Sequence, residues 1–198
     1  MNKTPVNDAV WEAFQQGSEP AFRALYVAHY KLLVNYGRRF GAENALIEDA
    51  VHDLFLELWH YRRTLTKPQS IQSYLLKSFR NRLLTQLAQQ YRFQSNGEED
   101  AGFGLLPAEP SAEDRLIEAG LSHEQQLRVQ KAMALLSPRQ QEILYLRYFS
   151  DFDYEQICAV MGITYHTART QMHQALTALR RRLQENWLVC LLLMLTAQ

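Results

Sequence analysis

Seven side chains able to donate hydrogen bonds stand close together near the C-terminal end of the chain: Tyr165, His166, Thr167, Arg169, Thr170, His173 and Gln174. They fall on the outward positions of a candidate helix. Hydroxyl, imidazole, guanidinium and amide groups presented this way bond to phosphate oxygens or to base edges. Arg180, Arg181 and Arg182 follow one or two turns later and offer charge to a phosphate backbone. A second concentration of chemistry occupies residues 61–97, which carry seven basic groups (Arg62, Arg63, Lys67, Lys77, Arg80, Arg82 and Arg92) and no acid. Tyr61, Tyr74, Phe79, Tyr91 and Phe93 interleave aromatic rings among those charges. Cations along a strand backbone and rings for unstacked bases are what single-stranded nucleic acid requires. For Phe79 and Tyr74 the plainer reading is core packing.

Other chemistry finds no support. The chain has no phosphate-cradling loop, nucleophile elbow or catalytic triad motif, so no enzyme activity, catalytic residue or cofactor is expected. His52, Asp53, Glu57 and His60 share one candidate helix, but two turns separate the histidines, too far for one ion, and no metal site is expected. The two cysteines, Cys158 and Cys190, lack ligand-like spacing. They read as reduced thiols in a cytoplasmic protein, Cys158 on a core face. The N-terminus has no apolar leader pattern. The apolar run at 188–195, LVCLLLML, is far shorter than the roughly 20 residues of a membrane span, so no stable membrane insertion is expected. This tail reads either as a last turn packed on a domain or as an apolar handle for a partner.

These groups need a scaffold, and the pattern of the chain is helical. With 198 residues, 47% apolar and 21% charged, it has room for one medium domain or two small ones. A first helix is expected over residues 7–16, ending at Gly17, and a second from Glu19-Pro20 to about residue 40. The second has an apolar face of Phe22, Leu25, Tyr26, His29, Leu32, Leu33 and Tyr36. A third covers residues 45–61 with Leu46, Ala50, Val51, Leu54, Phe55 and Leu58 as its core stripe, and a fourth runs from Ile71 to about Arg92. Residues 94–110, QSNGEEDAGFGLLPAEP, are rich in Gly, Pro and acid and read as a linker. Helix resumes at 111–136. Ser137-Pro138-Arg139-Gln140 has the form of a capping box with Pro at the first helical position, and Asp153 with Gln156 caps the next helix. Residues 153–183 then form a helix-turn-helix, with Gly162 at the turn, Thr164 as cap, and Ile157, Met161, Ile163, Ala168, Met172, Ala175 and Leu179 as the inner seam. The fold expected is all-α: two small helical domains joined by a flexible acidic linker, the C-terminal one a helix-turn-helix. The boundaries are 1–93, 94–110, 111–186 and a tail at 187–198. A generic helical hairpin with a solvated face would show the same local pattern.

Taken whole, the chain resembles the sigma-70 family, in particular the extracytoplasmic-function (ECF) type. The stretch LSPRQQEILYLRYFSDFDYEQICAVMGITYHTARTQMHQALTALRRRL resembles that family's C-terminal promoter-reading domain. IEDAVHDLFLELW is similar to its polymerase-gripping helix, and IQSYLLKSFRNRLLTQLAQQYR to the helix that holds the opened −10 strand. The resemblance spans residues 18–183. It implies a sigma factor that binds core RNA polymerase and directs promoter-specific initiation. Asp49, Val51, His52, Asp53, Phe55, Leu56 and Trp59 would contact polymerase, His52 standing where the family usually has Gln. Tyr61, Arg62, Arg63, Lys67, Tyr74, Lys77, Arg80, Asn81 and Arg82 would bind the −10 strand, with Arg62, Arg63 and Lys67 in a loop that captures a flipped base. Tyr165, His166, Thr167, Arg169, Thr170, His173, Gln174 and Arg180 would read the −35 duplex. Partners implied are core polymerase, promoter DNA and an anti-sigma factor. The main alternative is a conventional helix-turn-helix regulator with an N-terminal sensor or dimerisation bundle, against which the acid-free fourth helix speaks. A helical interaction protein is the third class.

Overall fold

The computed structural model describes residues 8–94 and 123–183. They form eight helices and no strand. They fall into two compact units, one built on the first four helices and one on the last four. The expected linker beyond Gln94, the helix start at 111–122 and the apolar tail lie outside the described residues.

The N-terminal unit comprises α1 (Asp8–Gln15), α2 (Glu19–Arg38), α3 (Asn44–Tyr61) and α4 (Ile71–Gln94). The apolar residues of each recur at three and four, so each helix has one face to bury. α2 packs on α1, α3 and α4, and α3 on α4. Trp11, Phe14, Leu33, Tyr36, Ile47, Val51, Leu75, Leu76, Phe79 and Leu83 form the fully buried core. Phe79 is therefore a core residue, as its plainer reading held, and Ile47 joins a core stripe that periodicity had assigned to Leu46. Gly37 is required by close packing: a Cβ there would stand 2.9 Å from Ile47 Cγ2 and 3.0 Å from Phe79 Cζ. Three helices meet where that side chain would be.

The C-terminal unit comprises α5 (His123–Ala134), α6 (Pro138–Tyr148), α7 (Tyr154–Met161) and α8 (Tyr165–Leu183). α5, α6 and α7 all pack on α8. Both expected capping boxes are present. Ser137 accepts from the Gln140 N–H while the Gln140 side chain accepts from the Ser137 N–H, and Asp153 and Gln156 repeat the exchange. Between α6 and α7 the chain turns through Asp151 at φ 55°, a left-handed conformation that Asp tolerates better than most residues. The turn drops Phe152 into the core, and Arg147 donates to the Phe152 carbonyl at 2.9 Å. No helix among the described residues is long and apolar enough to cross a membrane.

Candidate nucleic-acid interface

The turn into α8 is built as its residues require. Gly162 adopts φ 66° and ψ 37°, and its N–H returns to the Cys158 carbonyl. That left-handed cap costs a glycine least. Thr164 Oγ1 then accepts from the Thr167 N–H at 3.2 Å and caps α8. Ala168, Met172, Ala175 and Leu179 face inward from α8 onto Ile157, Val160 and Met161 of α7. Ile163 is only half-buried at the edge of that seam, and Val160 supplements it. Cys158, expected on the core face, is half-buried instead. Burial, then the nearby Glu155 carboxylate, push its thiol up, so it stays protonated.

With that seam inward, Tyr165, His166, Arg169, Thr170, His173, Gln174 and Arg180 are exposed. Thr167 departs from the expected list: it is half-buried, and its hydroxyl lies 2.9 Å from that of Thr164, inside the cap. Tyr165 packs its ring 5.5 Å from Tyr154 at the start of α7, and Arg147 stands over Tyr154 at 5.9 Å. The Tyr154–Arg147 pair flanks the N-terminal end of the exposed face and was not singled out from sequence.

In the N-terminal unit the candidate residues separate by helix phase. On α3, Asp49, His52 and Leu56 are exposed along one stripe, and Leu56 is 54% exposed at its C-terminal end. Val51 and Phe55 are corrected from surface contacts to core residues: they are 0% and 2% exposed. Their three-and-four spacing with Leu54 and Leu58 had already placed them inward, and periodicity prevails over the resemblance. Trp59 is half-buried, its ring near Phe22 and Phe14, with the Arg62 guanidinium 4.3 Å above it. Arg62 also donates to the Trp59 carbonyl at 2.6 Å. It closes the end of α3 instead of reaching outward.

On α4 the buried face is Leu75, Leu76, Phe79 and Leu83. At about 100° per residue, Tyr74, Lys77 and Asn81 lie opposite it, whereas Arg80 and Arg82 flank it on opposite shoulders. The nine −10 candidates are thus not one surface. Tyr61 is 51% exposed, with its ring edge-on to His60 at 4.7 Å, and Arg63 is exposed. Tyr74 meets the Trp11 ring edge-to-face at 6.0 Å, and burial raises its phenol pKa, keeping it protonated. Lys67 bonds to Asp8 at 2.7 Å and Glu12 at 3.3 Å, and the hydrogen bond to Asp8 raises its pKa. Arg82 pairs with Glu57 and, at 3.6 Å, with Asp53. The acid-free block of the sequence therefore meets acid in space. These partners stand between 25 and 59 residues away along the chain, and no local pattern reveals them.

The comparisons agree with this layout. The family described as Sigma-70 region 2 matches residues 25–93, and that described as Sigma-70, region 4 matches residues 126–179. The ECF RNA polymerase sigma factor SigL of Mycobacterium tuberculosis is 26% identical over 82% of this chain and 89% of its own length. In fold, the chain is similar to CnrH, solved in complex with the cytosolic domain of CnrY (TM-score 0.60, 18% identity, 89% of this chain and 96% of that one). It is equally similar to the sigma factor RpoE, solved with the anti-sigma factor NepR from Bartonella quintana (TM-score 0.60, 20% identity, 83% and 98%). With two sigma regions matched in order over more than half of its length, each falling on one helical unit, the chain belongs to the sigma-70 family, as a transcription-initiation sigma factor of the ECF type.

Proposed function

We propose that this sigma factor binds core RNA polymerase through the exposed stripe of α3, holds the opened −10 strand on α4 and the loop before it, and reads the −35 duplex with α8. The observation that carries the reading is the exposed first half of α8, where Tyr165, His166, Arg169, Thr170 and His173 stand over a fully buried seam behind a left-handed glycine turn. The N-terminal half of such a helix enters the major groove, where imidazole and guanidinium reach base edges. Arg180 lies farther along for phosphate contact.

On the other unit, Asp49, His52 and Leu56 offer an acidic and apolar stripe, with Trp59 and Asp53 at its margin. Tyr61, Arg63, Tyr74, Lys77 and Asn81 would meet an unstacked strand, with Arg80 on one shoulder. The polymerase does the chemistry, and this chain supplies address and strand capture in the cytoplasm. CnrH and RpoE were solved with partner proteins, the latter an anti-sigma factor, and an anti-sigma partner for this chain follows by analogy. The test is initiation by core polymerase and this chain on promoters with intact or scrambled −35 elements. The reading requires that Arg169→Ala lower initiation on the intact promoter toward the scrambled level. An Arg169→Ala protein that keeps full −35 dependence shows that α8 is not the reading helix.

A further inference from the structure

The loop at residues 62–70, between α3 and α4, is fastened from outside by α1. At its start the N–H groups of Thr64 and Leu65 return to the Tyr61 carbonyl at 2.9 and 3.2 Å. Beyond that point the main chain is held by another element, because Gln15 donates through Nε2 to the Leu65 carbonyl. Two residues on, Lys67 bonds to both Asp8 and Glu12. Asp8, Glu12 and Gln15 are spaced by four and three residues, so one side of α1 presents all three to the loop. The other side is anchored by burial. Trp11 and Phe14 are almost wholly inaccessible, Trp11 against Tyr74 of α4 and Phe14 with its ring 6.4 Å from Trp59 of α3. α1 thus grips the loop and both helices that the loop connects. It also precedes the segment matched to sigma region 2, which begins at residue 25.

The contacts on the loop differ in kind. Asp8 and Glu12 are mostly exposed, and exposed ion pairs stabilise little. Their effect is on where the Lys67 charge sits. The Gln15 bond engages a main-chain carbonyl at a partly buried site, so it constrains the path of the backbone itself.

We propose that α1 is the positioning element for the base-capturing loop: Gln15 sets the loop's main-chain path, and Asp8 with Glu12 hold Lys67 on the protein and away from DNA phosphate. This rests on the −10 reading above. It assigns specificity to residues that touch no DNA, and it removes Lys67 from the strand-contacting set.

The test uses the full chain with core RNA polymerase and a promoter library built on the gene's own upstream region and randomised across the −10 element, with transcripts sequenced. Gln15→Glu keeps the shape but has no N–H to give, and Gln15→Met is the second variant should the first melt early. Either is expected to flatten base preference at the captured position by roughly threefold to tenfold, the range that one net hydrogen bond represents. Preference at the other −10 positions stays. An unchanged profile in a variant that melts like the parent overturns the proposal, as does equal flattening at every position. A parent chain with no −10 preference would defeat the strand-capture reading itself, a different result. For Lys67, the double change Asp8→Asn, Glu12→Gln is expected to steepen the salt dependence of promoter binding by about one counterion, and the gain must vanish in a Lys67→Gln background. No gain, or a gain that survives there, contradicts the restraint of Lys67.

Discussion

Arg169 and His29 show two ways in which one side chain can matter here. Arg169 is exposed on α8 and, in the proposed role, acts outward. One bidentate base contact is worth about 1–3 kcal/mol of discrimination. Arg169→Ala is therefore expected to cut −35-dependent initiation by roughly fivefold or more, measured as the ratio of run-off product from intact and scrambled −35 promoters. His29 acts inward. It is buried, and its Nδ1–H donates to the Leu25 carbonyl at 2.8 Å. Burial lowers its pKa below the ordinary 6.5, against the opposite pull of that hydrogen bond. Below about pH 6.5 the unfolded chain then binds more protons than the folded one, so the stability contributed by neutral His29 is complete above that pH and is lost as pH falls through the folded-state value. The parent is expected to lose more melting temperature than His29→Gln between about pH 7.5 and about pH 5.5, by circular dichroism. Equal losses would contradict the assignment. At this scale the sequence was legible where a residue's role depends on its own helix phase, as with Phe79. It was misleading where charge was counted along the chain, because Lys67 and Arg82 find their acids only in the folded unit.

The elements were the most legible level, because their signals are local. Ser137 with Gln140 and Asp153 with Gln156 announce helix starts within four residues, and Gly162 announces a turn by itself. Ser137→Ala or Asp153→Ala is expected to cost about 1 kcal/mol, read as a lowered denaturation midpoint. What the local pattern does not contain is approach distance between helices. Gly37 reads as a weak helix former, yet the fold places it where α2 nearly touches Ile47 and Phe79, both fully buried. Alanine would gain at most about 1 kcal/mol in helix propensity and lose about 1–3 kcal/mol to overpacking. Gly37→Ala is therefore expected to lower the melting temperature of the chain by several degrees; a higher one would contradict the close packing at α2. The same limit explains α1. Periodicity located it, but nothing within those eight residues shows that its polar side meets a loop 50 residues away.

For the whole molecule, the balance of charge bears on how the parts are used. The chain has 21 basic and 21 acidic residues and no net charge at neutral pH. It lacks the excess of cations that lets a protein hold DNA on its own. Within the N-terminal unit, acids from α1 and α3 further offset two of the basic groups that face outward. In the proposed role, affinity for promoter DNA is shared with the polymerase, and two weak sites on one chain would gain from each other once one is engaged. The free chain is expected to shift duplex promoter DNA poorly, and the complex with core polymerase to bind it well. The most direct measurement is a pull-down with core RNA polymerase, followed by run-off transcription from the gene's own upstream region. Stable association and initiation that requires both core and this chain are the predicted result. A chain that ignores core polymerase yet shifts the same duplex by itself would contradict the account.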